Sequence, residues 1–335
     1  MTLTVLYPES MYPDLAVEHR IFGPAFRVIM RRTTALSELA DTDCDAADGL
    51  MIFRHFATAA DLARFPRLKA MVRMGAGYDR VDRKAAAARG ILVCNVPDYG
   101  TTEVADHALA MALALRRGLL LHHEKQRAAP PAAWTWIETP LVRRSSTQAF
   151  GILGLGRIGT AAALRAKAFG FRVLAYDPYQ PNGVELALGI ERARRLEELL
   201  QTSDILSLHA PLTAETRGML GAAELGLLPE GAVVINTARG PILDLDALMA
   251  LMQSGRIAGA GLDVLPREPP VEPVPELLAA YRARAPWLDG RLIVTPHAAF
   301  HTPDAWNDIR IKSAETMRAA LSGPRPQNVI APDQG

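Results

Sequence analysis

Short apolar runs recur along the chain and alternate with stretches of helical character. Residues 4–7 form the first, stopped by Pro8, and 49–53, 68–74 and 91–96 follow. Strands separated in this way predict a parallel sheet. The pattern then changes. Residues 101–127 are rich in Ala and Leu, with Thr101 or Thr102 as N-cap, and predict one long helix ahead of Pro130-Pro131. A Pro- and Trp-bearing connection occupies 130–144. From Phe150 a stricter alternation begins: strand 150–153, helix 157–169, strand 172–176, helix 195–201, strands 205–208 and 232–235, helix 244–253, strand 257–262. A last strand, 292–295, precedes a closing helix at 302–321. The expected class is α/β, as two doubly wound parallel-sheet domains of Rossmann-like or flavodoxin-like type. The expected division is a substrate domain at 1–98, a cofactor domain at 99–297, and a return to the first domain at 298–335. The active site is expected in the cleft between them.

A length of 335 residues is consistent with two domains of ordinary size. The 37 basic and 36 acidic residues leave a net charge of +1, so no field favours nucleic acid or an anionic membrane. The pairs Arg31-Arg32 and Arg143-Arg144 read as solvated faces. Cys44 and Cys94 have no metal spacing around them and read as reduced, partly buried thiols. No signal-peptide pattern opens the chain and no apolar run reaches membrane length, so a soluble cytoplasmic protein is expected.

The segment Gly154-Leu-Gly156-Arg-Ile-Gly159 is a G-x-G-x-x-G. Alone it is weak, but here a strand enters it, a helix leaves it, and Asp177 stands 18 residues beyond its last glycine. Gly154 permits the turn, Gly156 lets a pyrophosphate approach the backbone, and Gly159 lets the helix pack against the sheet. The free N–H groups of Arg157 and Ile158 face the phosphate. Asp177 would accept from the adenosine ribose hydroxyls and repel a 2′-phosphate, so NAD is expected over NADP. No metal site is expected: His122-His123-Glu124 places its histidines on different helix faces and reads as surface residues. His107 and His301 carry no strong claim.

Several further stretches resemble the D-isomer-specific 2-hydroxyacid dehydrogenase family, over nearly the whole chain. They are Arg73-Met-Gly-Ala-Gly-Tyr-Asp-Arg-Val-Asp82, Leu208-His-Ala-Pro-Leu-Thr213 with Thr216, Asn236-Thr-Ala-Arg-Gly240, Leu262-Asp-Val264, Glu268-Pro269 and Thr295-Pro-His-Ala298. The stretches 164–171, 176–179 and 183–189 look most like the C-terminal binding protein branch. The resemblance implies NAD-dependent interconversion of a 2-keto acid and a D-2-hydroxy acid by Arg239, Glu268 and His297. It implies cofactor contacts from His209, Ala210, Pro211, Thr216, Thr237 and Ala238, with Asp263 on the carboxamide. It implies substrate contacts from Arg73, Gly75, Ala76, Gly77 and Phe300 beside Arg239.

The chemistry also follows from the residue types. A guanidinium such as Arg239 binds a carboxylate through two parallel hydrogen bonds. Hydride arriving at C2 leaves charge on oxygen, so a proton donor such as His297 is needed, and Glu268 would favour its imidazolium form and fix its orientation. Two features depart from the C-terminal binding protein pattern: Phe300 replaces a tryptophan, and the segment between Glu268 and His297 is longer. Pro273, Leu277, Leu278, Tyr281 and Trp287 in that segment predict a pocket wall and a substrate larger than glyoxylate. Rival readings are an NAD-sensing corepressor or scaffold, formate or phosphite oxidation, and phosphoglycerate dehydrogenation. Glu268 argues against formate, whose oxidising relatives carry glutamine there, and the sequence ends before an appended regulatory domain. A homodimer is expected from the apolar excess of 101–127, with Trp134 and Trp136 either reaching the partner's cleft or packing locally.

Overall fold

The computed structural model describes residues 2–9, 11–324, 326 and 328–332. The chain divides into two compact units, one of residues 1–100 with 301–335, the other of residues 101–300.

The first unit is built on five parallel strands: β1 (Leu3–Tyr7), β2 (Phe26–Met30), β3 (Gly49–Ile52), β4 (Ala70–Arg73) and β5 (Leu92–Asn95). Their order, β2-β1-β3-β4-β5, is that of flavodoxin-like sheets. β3 and β4 are buried at every position. Such strands are covered on both faces and read as unbroken apolar runs. The C-terminal helix Pro303–Ser322 packs on this sheet and on helix Ala16–Phe22, where Arg310 forks onto the buried Glu18 at 2.7 and 2.8 Å. Both cysteines lie in this unit, free and buried.

The second unit holds seven parallel strands: β6 (Ala149–Leu153), β7 (Arg172–Tyr176), β8 (Glu191–Arg192), β9 (Ile205–Leu208), β10 (Ala232–Asn236), β11 (Ile257–Leu262) and β12 (Leu292–Val294). The order is β12-β11-β10-β9-β6-β7-β8. Alternate residues of one strand serve opposite faces. Phe150 and Ile152 meet helices Thr101–Arg116 and Arg157–Ala168, while Ala149 and Leu153 join the layer containing Leu199, Leu225 and Leu248. Strand order reverses between β6 and β9, so the chain leaves these neighbours in opposite directions and opens a crevice at their carboxyl ends.

Four expectations need correction. The helix expected over 101–127 is two helices, Thr101–Arg116 and Leu119–Arg127, parted at Gly118, whose φ of 60° is left-handed. The apolar pattern of the sequence does not show strands β2 and β8. Both are edge strands, and each carries an arginine that blurs its apolar signal. The long segment after Glu268 contains helix Glu276–Arg282, with Leu277 and Leu278 buried and Leu277 in the same core layer as Leu245 and Leu248. Leu277 and Leu278 are consumed by packing and give no argument for a large substrate, whereas Pro273 and Tyr281 are exposed. His122 is more than a surface residue: its Nδ1 pairs with the Gly118 carbonyl at 2.8 Å and its Nε2 with the Ile137 N–H at 3.3 Å. Among the described residues, no helix is long and apolar enough to cross a membrane.

Candidate active site

In the second unit, the residues singled out by chemistry follow the carboxyl ends of strands. Gly154 follows β6, Asp177 follows β7, His209 follows β9, Thr237 to Arg239 follow β10, Asp263 follows β11, and His297 stands three residues past β12. All the strands are parallel, so these ends share one edge of the sheet.

The glycine loop fits a dinucleotide. Gly154 has φ 92°, and a Cβ there would lie 2.6 Å from the Ala210 nitrogen. At Gly159 a Cβ would meet the Gly154 carbonyl oxygen at 2.0 Å, so helix Arg157–Ala168 can approach only with glycine there. At Gly156 a Cβ would meet nothing within 4 Å, which leaves open space over the turn for a phosphate. Asp177 accepts from the Leu155 N–H at 2.8 Å and the Tyr179 N–H at 2.9 Å. Each carboxylate oxygen keeps a lone pair for a ribose hydroxyl. Two buried polar atoms along the same edge, His209 Nδ1 and Thr237 Oγ1, have no hydrogen-bond partner among the described residues. Thr216 instead braces its own loop, donating to the Pro211 carbonyl at 2.6 Å and accepting from the Thr213 N–H at 2.8 Å.

Burial pushes His209 down from the ordinary 6.5 to about 4. Its folded value lies below its unfolded value, so the unfolded chain takes up this proton first as the pH falls. The stability it contributes is full above about pH 6.5 and is lost as the pH falls toward 4, by about 3 kcal/mol. Urea midpoints should therefore drop across that window, and His209→Gln should flatten the drop. A parallel slope in the variant would show that other groups carry it.

Past β10, Asn236 shapes the turn. Its Oδ1 accepts from the Ala238 N–H and its Nδ2 donates to the Arg239 carbonyl, both at 3.0 Å. Gly240 lies so close to the next loop that a Cβ would sit 2.0 Å from the Leu265 carbonyl carbon. This contact brings the turn carrying Arg239 against the loop carrying Glu268. Glu268 Oε1 accepts from the Leu265 N–H at 2.9 Å, and Oε2 pairs with His297 Nδ1 at 2.6 Å. Burial would raise the Glu268 carboxyl, but the His297 hydrogen bond and charge, the Leu265 N–H and the Arg239 charge outweigh it and hold it below the usual range. The carboxylate is therefore ionised beside the imidazole. With Nδ1–H committed to Glu268, Nε2 is the atom left to give or take a proton.

His297 is held in a left-handed backbone, φ 53°, uncommon for a residue with a side chain. Asp263 grips it from both sides. The Asp263 carbonyl accepts the His297 N–H at 2.7 Å, and its carboxylate accepts Thr295 Oγ1 at 2.5 Å and the N–H groups of Ala298 and Ala299 at 2.8 and 3.1 Å. His107, given no role by the sequence, adds a further brace, pairing with Thr295 Oγ1 at 3.1 Å. The Phe300 ring meets the His297 ring edge-on with centroids 6.4 Å apart.

In the first unit, β4 ends at Arg73 and the segment 74–77 follows it. Arg73 is buried, with its guanidinium carbon 5.7 Å from the centre of the Phe53 ring. Gly75 has φ 144°, and a Cβ there would strike Arg73 Nη1. Asn95 Nδ2 donates to the Ala76 carbonyl at 2.6 Å and fixes the turn.

Residues 109–299 match the family model described as "D-isomer specific 2-hydroxyacid dehydrogenase, NAD binding domain". A glyoxylate reductase of Korarchaeum cryptofilum (strain OPF8) is 34% identical, over 92% of this chain and 86% of its own. A D-3-phosphoglycerate dehydrogenase of Mycobacterium leprae (strain TN) is 36% identical over 86% of this chain, which spans about half (52%) of that longer protein. The crystal structure of a D-lactate dehydrogenase from Aquifex aeolicus, complexed with NAD and lactic acid, superposes with a TM-score of 0.81 at 28% identity, covering 96% of each chain. The chain belongs to the D-isomer-specific 2-hydroxyacid dehydrogenase family. It is an NAD-dependent oxidoreductase that interconverts 2-keto and 2-hydroxy acids.

Proposed function

We propose that the chain reduces a compact 2-keto acid to its D-2-hydroxy acid with NADH, through Arg239, Glu268 and His297. The observation that carries this reading is the 2.6 Å pairing of His297 Nδ1 with Glu268 beside the Arg239 turn. Bound NADH supplies the hydride. The rest falls to the chain: Arg239 clamps the carboxylate, His297 Nε2 delivers the proton to the developing alkoxide, and Glu268 stabilises the imidazolium before delivery. His209, Ala210, Pro211, Thr216, Thr237, Ala238 and Asp263 border the cofactor, while Arg73, Gly75, the backbone of Ala76 and Gly77, and Phe300 contact substrate. A compact substrate is supported by the commitment of Leu277 and Leu278 to the core and by the glyoxylate reductase and D-lactate dehydrogenase relatives. A panel of 2-keto acids with NADH, followed at the nicotinamide absorbance, tests it. Glyoxylate and pyruvate should exceed branched and aromatic keto acids in kcat/KM, and the reverse order would restore a large pocket.

We further propose a homodimer. Trp134 and Trp136 are 92% and 77% exposed, and Leu119 is exposed nearby in sequence, more apolar surface than a free loop tolerates well. Light scattering at micromolar concentration should give twice the chain mass. The C-terminal binding protein branch, with its scaffold role, is the finer family reading. It rests on the sequence of 164–189 alone.

A further inference from the structure

The 2′-phosphate of NADP is usually received by a basic side chain close to the ribose acid of a Rossmann domain. Here Arg192 lies close to that acid, and its bonds point elsewhere. It sits in β8, paired with Ala175 of β7, the strand that ends just before Asp177. Its side chain is 15% exposed. Nη2 donates to the carbonyls of Asp177 at 3.3 Å and Gln180 at 2.8 Å, and Nη1 to the carbonyl of Pro181 at 3.0 Å. Glu185 Oε2, which also accepts the Gly183 N–H at 3.2 Å, stands 3.4 Å from Nη1. A small cavity beside this turn is lined by Leu155, Asp177, Gln180, Glu185 and Arg192.

A turn with prolines at 178 and 181 lacks the N–H groups that would order it through regular pairing. One guanidinium, with five fixed donors, takes that place by holding three of its carbonyls at once. The Tyr179 N–H that orients one Asp177 oxygen belongs to this turn, so the direction of the carboxylate depends on this grip as well as on the Leu155 N–H. The same grip commits Arg192 to carbonyls and to Glu185, so it is not free to meet a phosphate.

We infer that Arg192 is a positioning residue for cofactor choice: it sets the 177–181 turn so that Asp177 faces the ribose, and thereby enforces NAD over NADP. The inference rests on the reading of Asp177 as the ribose acid. A plain structural role would lower stability and weaken both nucleotides alike.

The test is the dissociation constant of NADH and of NADPH, read by nucleotide fluorescence without substrate. Arg192→Met should weaken NADH about tenfold and leave NADPH within about twofold, narrowing the preference about tenfold. Arg192→Lys, which keeps a single charged donor and guards against a variant that does not fold, should narrow it about threefold. Asp177→Asn should narrow the preference by itself, and adding Arg192→Met to it should narrow it no further, since both act through one carboxylate. Equal losses for the two nucleotides in Arg192→Met, or additive narrowing in the double variant, would overturn the inference while leaving Asp177 as the ribose acid. If Asp177→Asn left the preference unchanged, the ribose reading would fail and the inference with it.

Discussion

Replacing His297 by alanine should lower turnover by about 10²–10⁴-fold while NADH binding stays nearly unchanged. In the proposed mechanism the imidazole exchanges one proton at one atom, Nε2. Its Nδ1 is committed to Glu268 at 2.6 Å, its backbone is fixed at φ 53°, and Asp263 holds the residues on either side. Alanine removes the donor and leaves the glycine loop and Asp177 untouched. Glu268→Gln tests the second part of the mechanism. It keeps a hydrogen-bonding partner for Nδ1 but removes the charge that steadies the imidazole during proton delivery, so turnover should fall, by less than in His297→Ala. Single-turnover rates with bound NADH read the chemical step directly. If the histidine variant kept wild-type single-turnover rates, the proton would come from elsewhere and the mechanism would fail.

The second unit was the more legible half of the fold. Its central strands are covered on both faces and so appear as continuous apolar runs, and the glycine loop declares itself through strand, turn and helix. Edge strands gave no such signal. In β2, Arg27 interrupts a run that pairs on one side only. The break at Gly118 was hidden because Leu-rich sequence continues on both sides, and a lone glycine inside a helical pattern does not mark a boundary. Helix Glu276–Arg282 shows a different limit: its apolar residues were visible, but composition does not say which surface they cover. In the candidate site, Arg239, Glu268 and His297 stand out together through their motifs. His107 was not, since it lies in an Ala/Leu-rich helix and its partner Thr295 is 188 residues away. The bonds from Thr295, Ala298 and Ala299 onto the Asp263 carboxylate are a product of tertiary packing, and local sequence carries no sign of them.

Replacing Arg239 by alanine should raise KM for the keto acid steeply, lowering kcat/KM by about 10²–10³-fold, since charge-assisted hydrogen bonds contribute roughly 1.5–3 kcal/mol each. The loss should differ in kind from that of His297→Ala. A carboxylate is present in ground state and transition state alike, so a clamp on it acts on KM first. Some turnover should also be lost, because a substrate held at one point fewer reaches the hydride and Nε2 less often in line. Arg239 reaches this role through its turn. Asn236 holds its carbonyl, its own Nη1 donates to the Ala238 carbonyl at 2.7 Å, and Gly240 packs against the 265–266 backbone. Arg239→Lys keeps the charge but replaces a planar fork with a point donor, and should recover part of the affinity and little of the alignment. Because Arg239 also lowers the Glu268 carboxyl, its removal should weaken the ionised pair with His297 slightly, a smaller effect than the lost clamp. Steady-state kinetics on glyoxylate and pyruvate separate the terms, with NADH titration as the control on folding. A variant whose KM stayed within about twofold of wild type would place the carboxylate on another residue.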